Sequence, residues 1–159
     1  MYHSIKVNNE QLFSVIEALL DQGKSVRIAV SGGSMYPFLR HGLDSVELKR
    51  GDFKDVARGD IVMIRRRSGQ YIMHRVCQKQ RDCFYMVGDA QQWIEGPLYQ
   101  DQLFAVIPAV WRRNRKIRVS NPVWRILTGC WLILLPIRGR LLQVYAKTKQ
   151  QTKKLQAWT

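Results

Sequence analysis

Hydrophobic positions along the first 110 residues change their spacing once, from a helical to a strand pattern. From residue 9 to about residue 22 they recur every three or four residues, which predicts one amphipathic helix that ends at Gly23. After it, short β-branched and aromatic runs alternate with Gly, Asp and Ser turns. The runs are Ser25–Ser31, Ser45–Lys49, Asp60–Arg66, Gln70–Gln78, Phe84–Val87 and Leu103–Val110. The pattern predicts a mainly β fold, a coiled antiparallel sheet that follows an N-terminal helix.

The charge pattern divides the chain near residue 111. Residues 1–110 hold fourteen Lys and Arg and all twelve Asp and Glu, whereas residues 111–159 hold twelve bases and no acid. We therefore predict a β-rich body over 1–110 and a basic C-terminal tail over 111–159. A strongly cationic tail suggests an anionic partner, either a membrane surface or nucleic acid.

Within the tail, Val123–Ile137 is apolar apart from Arg125. As a helix these residues measure roughly 22 Å, which is shorter than the roughly 30 Å of a hydrocarbon core. We predict a membrane-associated helix that lies in the plane of an anionic surface. We expect no nucleic-acid partner, because an apolar run suits lipid better than stacked nucleobases. A single span and a helix packed on the body are the alternatives. The residues expected at the membrane interface are Trp124, Trp131, Arg138 and Arg140.

One serine and one histidine are the strongest candidates for catalytic residues in this sequence. The three cysteines, Cys77, Cys83 and Cys130, form neither a disulfide framework nor a zinc pattern, and no metal or organic cofactor is expected. Ser34 follows two glycines, which permit a tight turn and a close approach of substrate. A serine nucleophile needs a neighbouring base and donors for the oxyanion. We assign the oxyanion support to the backbone around Ser34, at Gly33 and Met35.

The candidate base is His74. His3 lies near the N-terminus and His41 lies in a turn, whereas His74 lies in a strand pattern that puts it on one face with Ile72 and Val76. A histidine held on an apolar strand face is rigid and largely neutral. Asp89 follows Gly88 at the end of the next predicted strand, and its carboxylate can accept the second imidazole N–H.

Four short motifs occur in an order that resembles the type I signal peptidases. The chain is most similar to the branch that uses histidine where bacterial housekeeping enzymes use lysine, and the resemblance covers about residues 26 to 107. It implies a β-rich catalytic fold and cleavage of an extended peptide after small residues. It further implies that Ser34 is the nucleophile, His74 the base and Asp89 the third member of a catalytic triad. It also implies that Gly59-Asp60 is a structural turn. The motifs are Ser34-Met35-Tyr36-Pro37, Arg58-Gly59-Asp60-Ile61-Val62, His74-Arg75-Val76 and Gly88-Asp89.

The sequence departs from that family in three places. Gly32 replaces a serine that often assists the oxyanion, Ala90 replaces a common asparagine, and no apolar N-terminal anchor precedes the body. We therefore expect a specialised peptidase at the cytoplasmic face of the inner membrane, acting on a peptide or protein precursor.

Two other functions fit parts of the sequence. One is a catalytically inactive, membrane-bound peptide-binding module, which the absence of the oxyanion serine favours. The other is an autoproteolytic regulator similar to SOS repressors, which share the Ser-Met motif and the β-rich fold. Those repressors pair their serine with a lysine, where this chain has His74, and the residues before the first strand are too few for a helix-turn-helix unit.

Overall fold

A computed structural model describes residues 9–140 as one antiparallel sheet with one helix before it and one after it. Helix α1 spans Asn9–Asp21 and helix α2 spans Pro122–Ile133. Single 3-10 turns lie at Phe53–Asp55 and Gln100–Gln102. The strands are β1 Val26–Ala29, β2 Asp44–Lys49, β3 Ile61–Arg65, β4 Tyr71–Lys79, β5 Phe84–Val87, β6 Glu95–Leu98, β7 Leu103–Arg112 and β8 Arg115–Arg118.

The predicted mainly antiparallel β fold is confirmed, and six of the eight strands of the described region were predicted. The sheet order is β1-β2-β7-β3-β4-β5-β6, and β8 pairs with the second half of β7. Strands β6 and β8 were missed, because β6 contains Gly96 and Pro97 and β8 is mostly basic. Register shifts interrupt four of the strand pairs, and such bulges bend and coil a sheet.

Both faces of the central strand β3 are buried, which fixes the orientation of its neighbours. Ile61 and Met63 belong to a core that includes α1, whereas Val62 and Ile64 belong to a second core around Phe84. Because Val62 pairs with His74 and Ile61 pairs with Arg75, those two neighbours on β4 point to opposite faces of the sheet.

Residues 111–133 of the basic tail are continuous with the body. Strand β8 extends the sheet past the predicted boundary at residue 110, and Asn121 then caps α2 by accepting hydrogen bonds from the N–H groups of Val123 and Trp124. The rings of Trp124 and Trp131 contact Phe38 edge-on, at centroid distances of 5.6 and 6.0 Å. Within residues 9–140 no helix combines the length and the apolar character needed to cross a bilayer.

Candidate active site

A turn between β1 and β2 holds Ser34. Gly32 has a φ of +79°, which favours glycine, and its N–H donates to Nδ1 of His41 at 3.1 Å. The buried side chain of Met35 anchors the turn in the core, and the N–H of Leu39 donates to the Met35 carbonyl at 2.8 Å. The turn is therefore held on both sides of Ser34, which is itself partly exposed.

Backbone donors suited to an oxyanion lie around Ser34. Within the described residues, the N–H groups of Gly33, Ser34 and Met35 donate no hydrogen bond, whereas the Gly33 carbonyl accepts from the N–H of Tyr36 at 3.1 Å. Successive free N–H groups in a turn form a concave site that favours an anionic oxygen. The positions predicted for oxyanion support, Gly33 and Met35, thus retain free donors.

The Ser34 turn lies against the loop that follows β5. The carbonyl of Ser34 accepts a hydrogen bond from the N–H of Ala90 at 2.8 Å. A Cβ placed on Gly88 would lie 2.7 Å from the same carbonyl oxygen, so the close approach requires glycine at this position. Ser34 therefore occupies the space that a side chain at position 88 would fill.

His74 lies on strand β4, which pairs with the end of β5. The Ser34 carbonyl contacts Gly88, directly after β5, and His74 is the β4 residue next to Arg75, the partner of Val87. No hydrogen bond of the Ser34 hydroxyl is present within residues 9–140.

The imidazole of His74 is buried and neutral. Only 3% of the residue is exposed, the Trp93 ring contacts it edge-on, and Nδ1 has no partner within the described part of the chain. Burial lowers the pKa of His74 to about 4; Glu95 raises that pKa, and Arg66 lowers it further. At neutral pH the ring therefore carries no charge and can accept a proton.

This low pKa predicts a loss of stability in mild acid. Between about pH 6.5 and pH 4 the unfolded chain binds a proton at His74 that the folded chain does not bind. The free energy of unfolding should therefore fall by about 3 kcal/mol as the pH drops through that range. Urea titrations of wild type and His74→Gln at several pH values measure the difference. His41→Gln serves as the control. If wild type and His74→Gln show the same pH dependence, the prediction is contradicted.

Asp89 has a different partner from the one expected. Its buried carboxylate accepts two hydrogen bonds from Arg75, at 2.8 and 2.7 Å, and none from His74. The reason is the alternation of the strands: Asp89 lies two residues beyond Val87 and therefore faces the Arg75 side of the sheet. Burial raises the pKa of the Asp89 carboxyl, and the charge and hydrogen bonds of Arg75 oppose that rise.

The turn at Gly59-Asp60 supports this ion pair, in agreement with the structural role expected for it. Gly59 has a φ of +98°, and its carbonyl accepts a hydrogen bond from Nη1 of Arg75 at 2.9 Å. The N–H of Val76 donates to the Asp60 carbonyl at 2.8 Å, while the Asp60 side chain accepts from the N–H of Ala57. Arg75 thus connects the Gly59 turn to the loop beneath Ser34.

Helix α2 and the segment after it hold the same loop from outside through Trp131 and Arg138, which the sequence did not indicate. The fully buried guanidinium of Arg138 donates to the carbonyls of Gly88 and Gln91, and Nε1 of Trp131 donates to the carbonyl of Asp89 at 2.9 Å. Of the side chains expected at a membrane interface, Trp124 and Arg138 are instead buried against the body and Trp131 is partly buried there, whereas Arg140 is exposed. The first three contact the body, because its carbonyls and the Phe38 ring offer them partners.

Comparison of the chain with protein-family models, with curated proteins and with solved structures finds no match.

Proposed function

We propose that this chain is a serine endopeptidase similar to type I signal peptidases, cleaving peptide bonds of precursor proteins. The observation that carries the proposal is that the Ser34 turn and His74 both lie next to the end of β5. The carbonyl of Ser34 fills the side-chain position of Gly88, and Arg75, the neighbour of His74, pairs with Val87. The free N–H groups at Gly33, Ser34 and Met35 add donors for an oxyanion. A nucleophile, a neutral base and donors are the three parts that acyl transfer to serine requires.

In the proposed reaction the Ser34 hydroxyl oxygen attacks the scissile carbonyl while His74 takes its proton. The oxyanion of the tetrahedral intermediate binds the backbone N–H groups of the turn. The intermediate collapses to an acyl-serine when His74 returns the proton to the leaving amine, and water then hydrolyses the ester with His74 again as base. Hydrogen bonds between nucleophile and base are often long until substrate is bound, so their absence here is compatible with this route.

Asp89 contributes to the proposed mechanism through Arg75. The pair holds the end of β5 against the Gly59 turn, and the loop that receives the Ser34 carbonyl begins there. Asp89 therefore positions the loop and does not orient the imidazole directly.

The test is incubation of the full chain with a peptide library that carries small residues before the scissile bond, with products identified by mass spectrometry. Cleavage at defined bonds supports the endopeptidase. Binding of a peptide without cleavage favours the inactive peptide-binding module, and cleavage confined to the chain itself favours the autoproteolytic regulator. If the chain neither cleaves nor binds any peptide of the library, the proposal is overturned.

We also propose that α2 associates with an anionic membrane surface through its outward face. That face is apolar and lies next to exposed basic residues, as expected of a helix lying in the plane of the membrane. Its exposed apolar residues are Val123, Ile126, Leu127 and Ile133, and Ile137 is exposed just after the helix. The exposed basic residues near it in the sequence are Arg118, Arg125 and Arg140.

Ile126→Asp should weaken binding to vesicles that contain anionic lipid roughly tenfold or more. The variant loses the burial of one large aliphatic side chain, and every 1.4 kcal/mol changes affinity tenfold. Sedimentation with vesicles measures the bound fraction. Val15→Asp, at an exposed position of α1, adds the same charge elsewhere and serves as control. Equal weakening in both variants, or none in Ile126→Asp, contradicts the proposed surface.

A further inference from the structure

A cavity of about 330 Å³ lies between helix α2 and the turn at Gly59-Asp60. Ligand pockets of proteins start at roughly this volume, about 300 Å³. Neither Ser34 nor His74 lines it, so the cavity is separate from the candidate active site. The helix lines it with Arg125, Thr128, Gly129 and Leu132, and the body lines it with Arg58, Gly59, Asp60 and Val119.

Two guanidiniums and one carboxylate make the lining of this cavity positive. The Arg125 side chain forms neither an ion pair nor a hydrogen bond with residues 9–140. Arg58 donates from Nε to the Cys77 carbonyl at 3.1 Å, and its two Nη groups have no partner within the same residues. Asp60 accepts the N–H of Ala57 at 2.9 Å and forms no ion pair with either arginine. The lining therefore keeps an excess of one positive charge, with guanidinium N–H groups that can bind an acceptor.

The segments outside the described region bring no acidic side chain to this cavity. Residues 1–8 and 141–159 contain no Asp and no Glu, and all twelve acids of the sequence lie between them. Within residues 9–140 no acid is paired with Arg58 or Arg125. The anion that complements the two guanidiniums therefore has to come from another molecule.

A terminal phosphate is the anion that fits two guanidiniums best. Each guanidinium presents paired N–H groups, which can bind two oxygens of one phosphate or carboxylate at once. Arg125 comes from the helix and Arg58 from the body, so an anion in the cavity would lie between two different walls. A carboxylate offers two oxygens to these donors, whereas a phosphate monoester offers three.

The exposed apolar face of α2 indicates that a lipid carries this phosphate. Ile126 and Ile133 are exposed, and each directly follows a residue that lines the cavity, Arg125 and Leu132. Successive residues of a helix lie about 100° apart around its axis, so the apolar face and the cavity are neighbouring sides of α2. A membrane lipid holds its phosphate next to its acyl chains, and basic pockets at a membrane surface bind such head groups.

We propose that this cavity binds the terminal phosphate of an anionic lipid, with Arg58 and Arg125 donating hydrogen bonds to its oxygens. The inference rests on the proposed association of α2 with a membrane, and it is independent of peptidase activity. It adds a preference for one kind of head group to an association that would otherwise respond only to surface charge.

The experiment compares vesicles that contain phosphatidic acid, a phosphate monoester, with vesicles that contain phosphatidylglycerol, a phosphate diester. The lipid fractions are adjusted until both vesicles have the same zeta potential, and sedimentation gives the affinity of the full chain for each. Wild type should bind phosphatidic acid about tenfold more tightly, as expected of hydrogen bonds between charged groups. Arg58→Gln and Arg125→Gln should bring the ratio of the two affinities close to one.

Arg118→Gln is the matched control for the loss of charge. Arg118 is exposed on β8 near α2 and does not line the cavity. Its loss should weaken binding to both vesicles by about fivefold and leave their ratio unchanged, because a surface arginine is attracted to either anionic surface. Urea denaturation checks that each variant is folded.

Gly129→Leu tests the cavity without any change of charge. A Cβ at Gly129 would meet no atom within 4 Å, so a larger side chain can extend into the space that the phosphate would occupy. The preference for phosphatidic acid should be lost in this variant. Arg125→Lys keeps the charge but loses the paired N–H groups, and it should retain only part of the preference.

A preference for phosphatidic acid that Arg125→Gln and Gly129→Leu remove supports the proposal. A preference that survives both variants, or that wild type lacks, overturns it, while equal binding to both vesicles leaves the association of α2 standing. Thermal unfolding in sodium phosphate, against sodium chloride of equal ionic strength, separates the two sources of phosphate. If phosphate stabilises wild type but not Arg125→Gln, and vesicles are not distinguished, the cavity binds free phosphate and the lipid is overturned as its occupant. If no form binds any vesicle, the association and the lipid site both fail, and peptide cleavage remains a separate question.

Discussion

Ser34→Ala should lower peptide turnover by on the order of 10⁴-fold while leaving the fold unchanged. The substitution removes the attacking oxygen, and residual rates then come only from binding and the oxyanion donors of the turn. Because the Ser34 hydroxyl makes no hydrogen bond within the described residues, and its backbone carbonyl is retained, the free energy of unfolding should change little. Initial rates on one cleaved library peptide, together with urea denaturation, measure both quantities.

Ser31→Ala is the matched control for this experiment. Ser31 is exposed just before the same turn, and its loss should leave turnover within a few-fold of wild type. Cleavage that survives Ser34→Ala but disappears in Ser31→Ala would show that Ser31, and not Ser34, is the nucleophile. Cleavage that survives in both would exclude a nucleophile in this turn.

Asp89→Asn should destabilise the folded chain by about 3–5 kcal/mol, because it leaves the buried guanidinium of Arg75 without a counter-charge. Both side chains are fully buried, so water cannot replace the lost partner. The Gly59 carbonyl still accepts one N–H of Arg75, but an uncharged acceptor does not offset the buried charge. Urea or thermal unfolding at pH 7 measures the loss.

Asp21→Asn provides the comparison for an exposed ion pair. Asp21 is bound to Arg50 at the surface, where more than half of the Asp21 side chain is exposed. Removing such a pair typically costs less than about 1 kcal/mol. Equal losses of stability in Asp21→Asn and Asp89→Asn would mean that the Arg75–Asp89 pair does not carry the stability assigned to it.

Local pattern was sufficient to predict most of the sheet. The helix predicted over 9–22 is α1, Asn9–Asp21, and the turn at Ser68-Gly69 connects β3 to β4, where Gly69 has a φ of +84°. The spacing of hydrophobic residues and the turn residues within a short stretch of sequence predict these elements. The same applies to Ser34 and His74, whose motifs marked a turn and a strand that both lie next to the end of β5. Their catalytic roles stay predictions.

The partners of the site residues depended on information that local pattern does not contain. Whether Asp89 faces His74 or Arg75 is decided by the register of β4 against β5, and a shift of one residue reverses the answer. The contacts of Arg138 were hidden for another reason. Its partners are backbone carbonyls fifty and forty-seven residues away, and a carbonyl carries no sequence signature.

Those carbonyl contacts determine which parts of the chain can be exchanged between proteins. Gly88, Asp89 and Gln91 each give a backbone oxygen to Trp131 or Arg138, and Gly139 packs so closely that a Cβ there would overlap the Gln92 side chain. A chimera that joins this body to a foreign C-terminal segment would leave the carbonyls of Asp89 and Gln91 without these donors, while the Gly88 carbonyl would keep only the N–H of Gln91. Residues 115–139 and the loop at 88–92 should therefore be exchanged together, although residues 93–114 separate them in the chain.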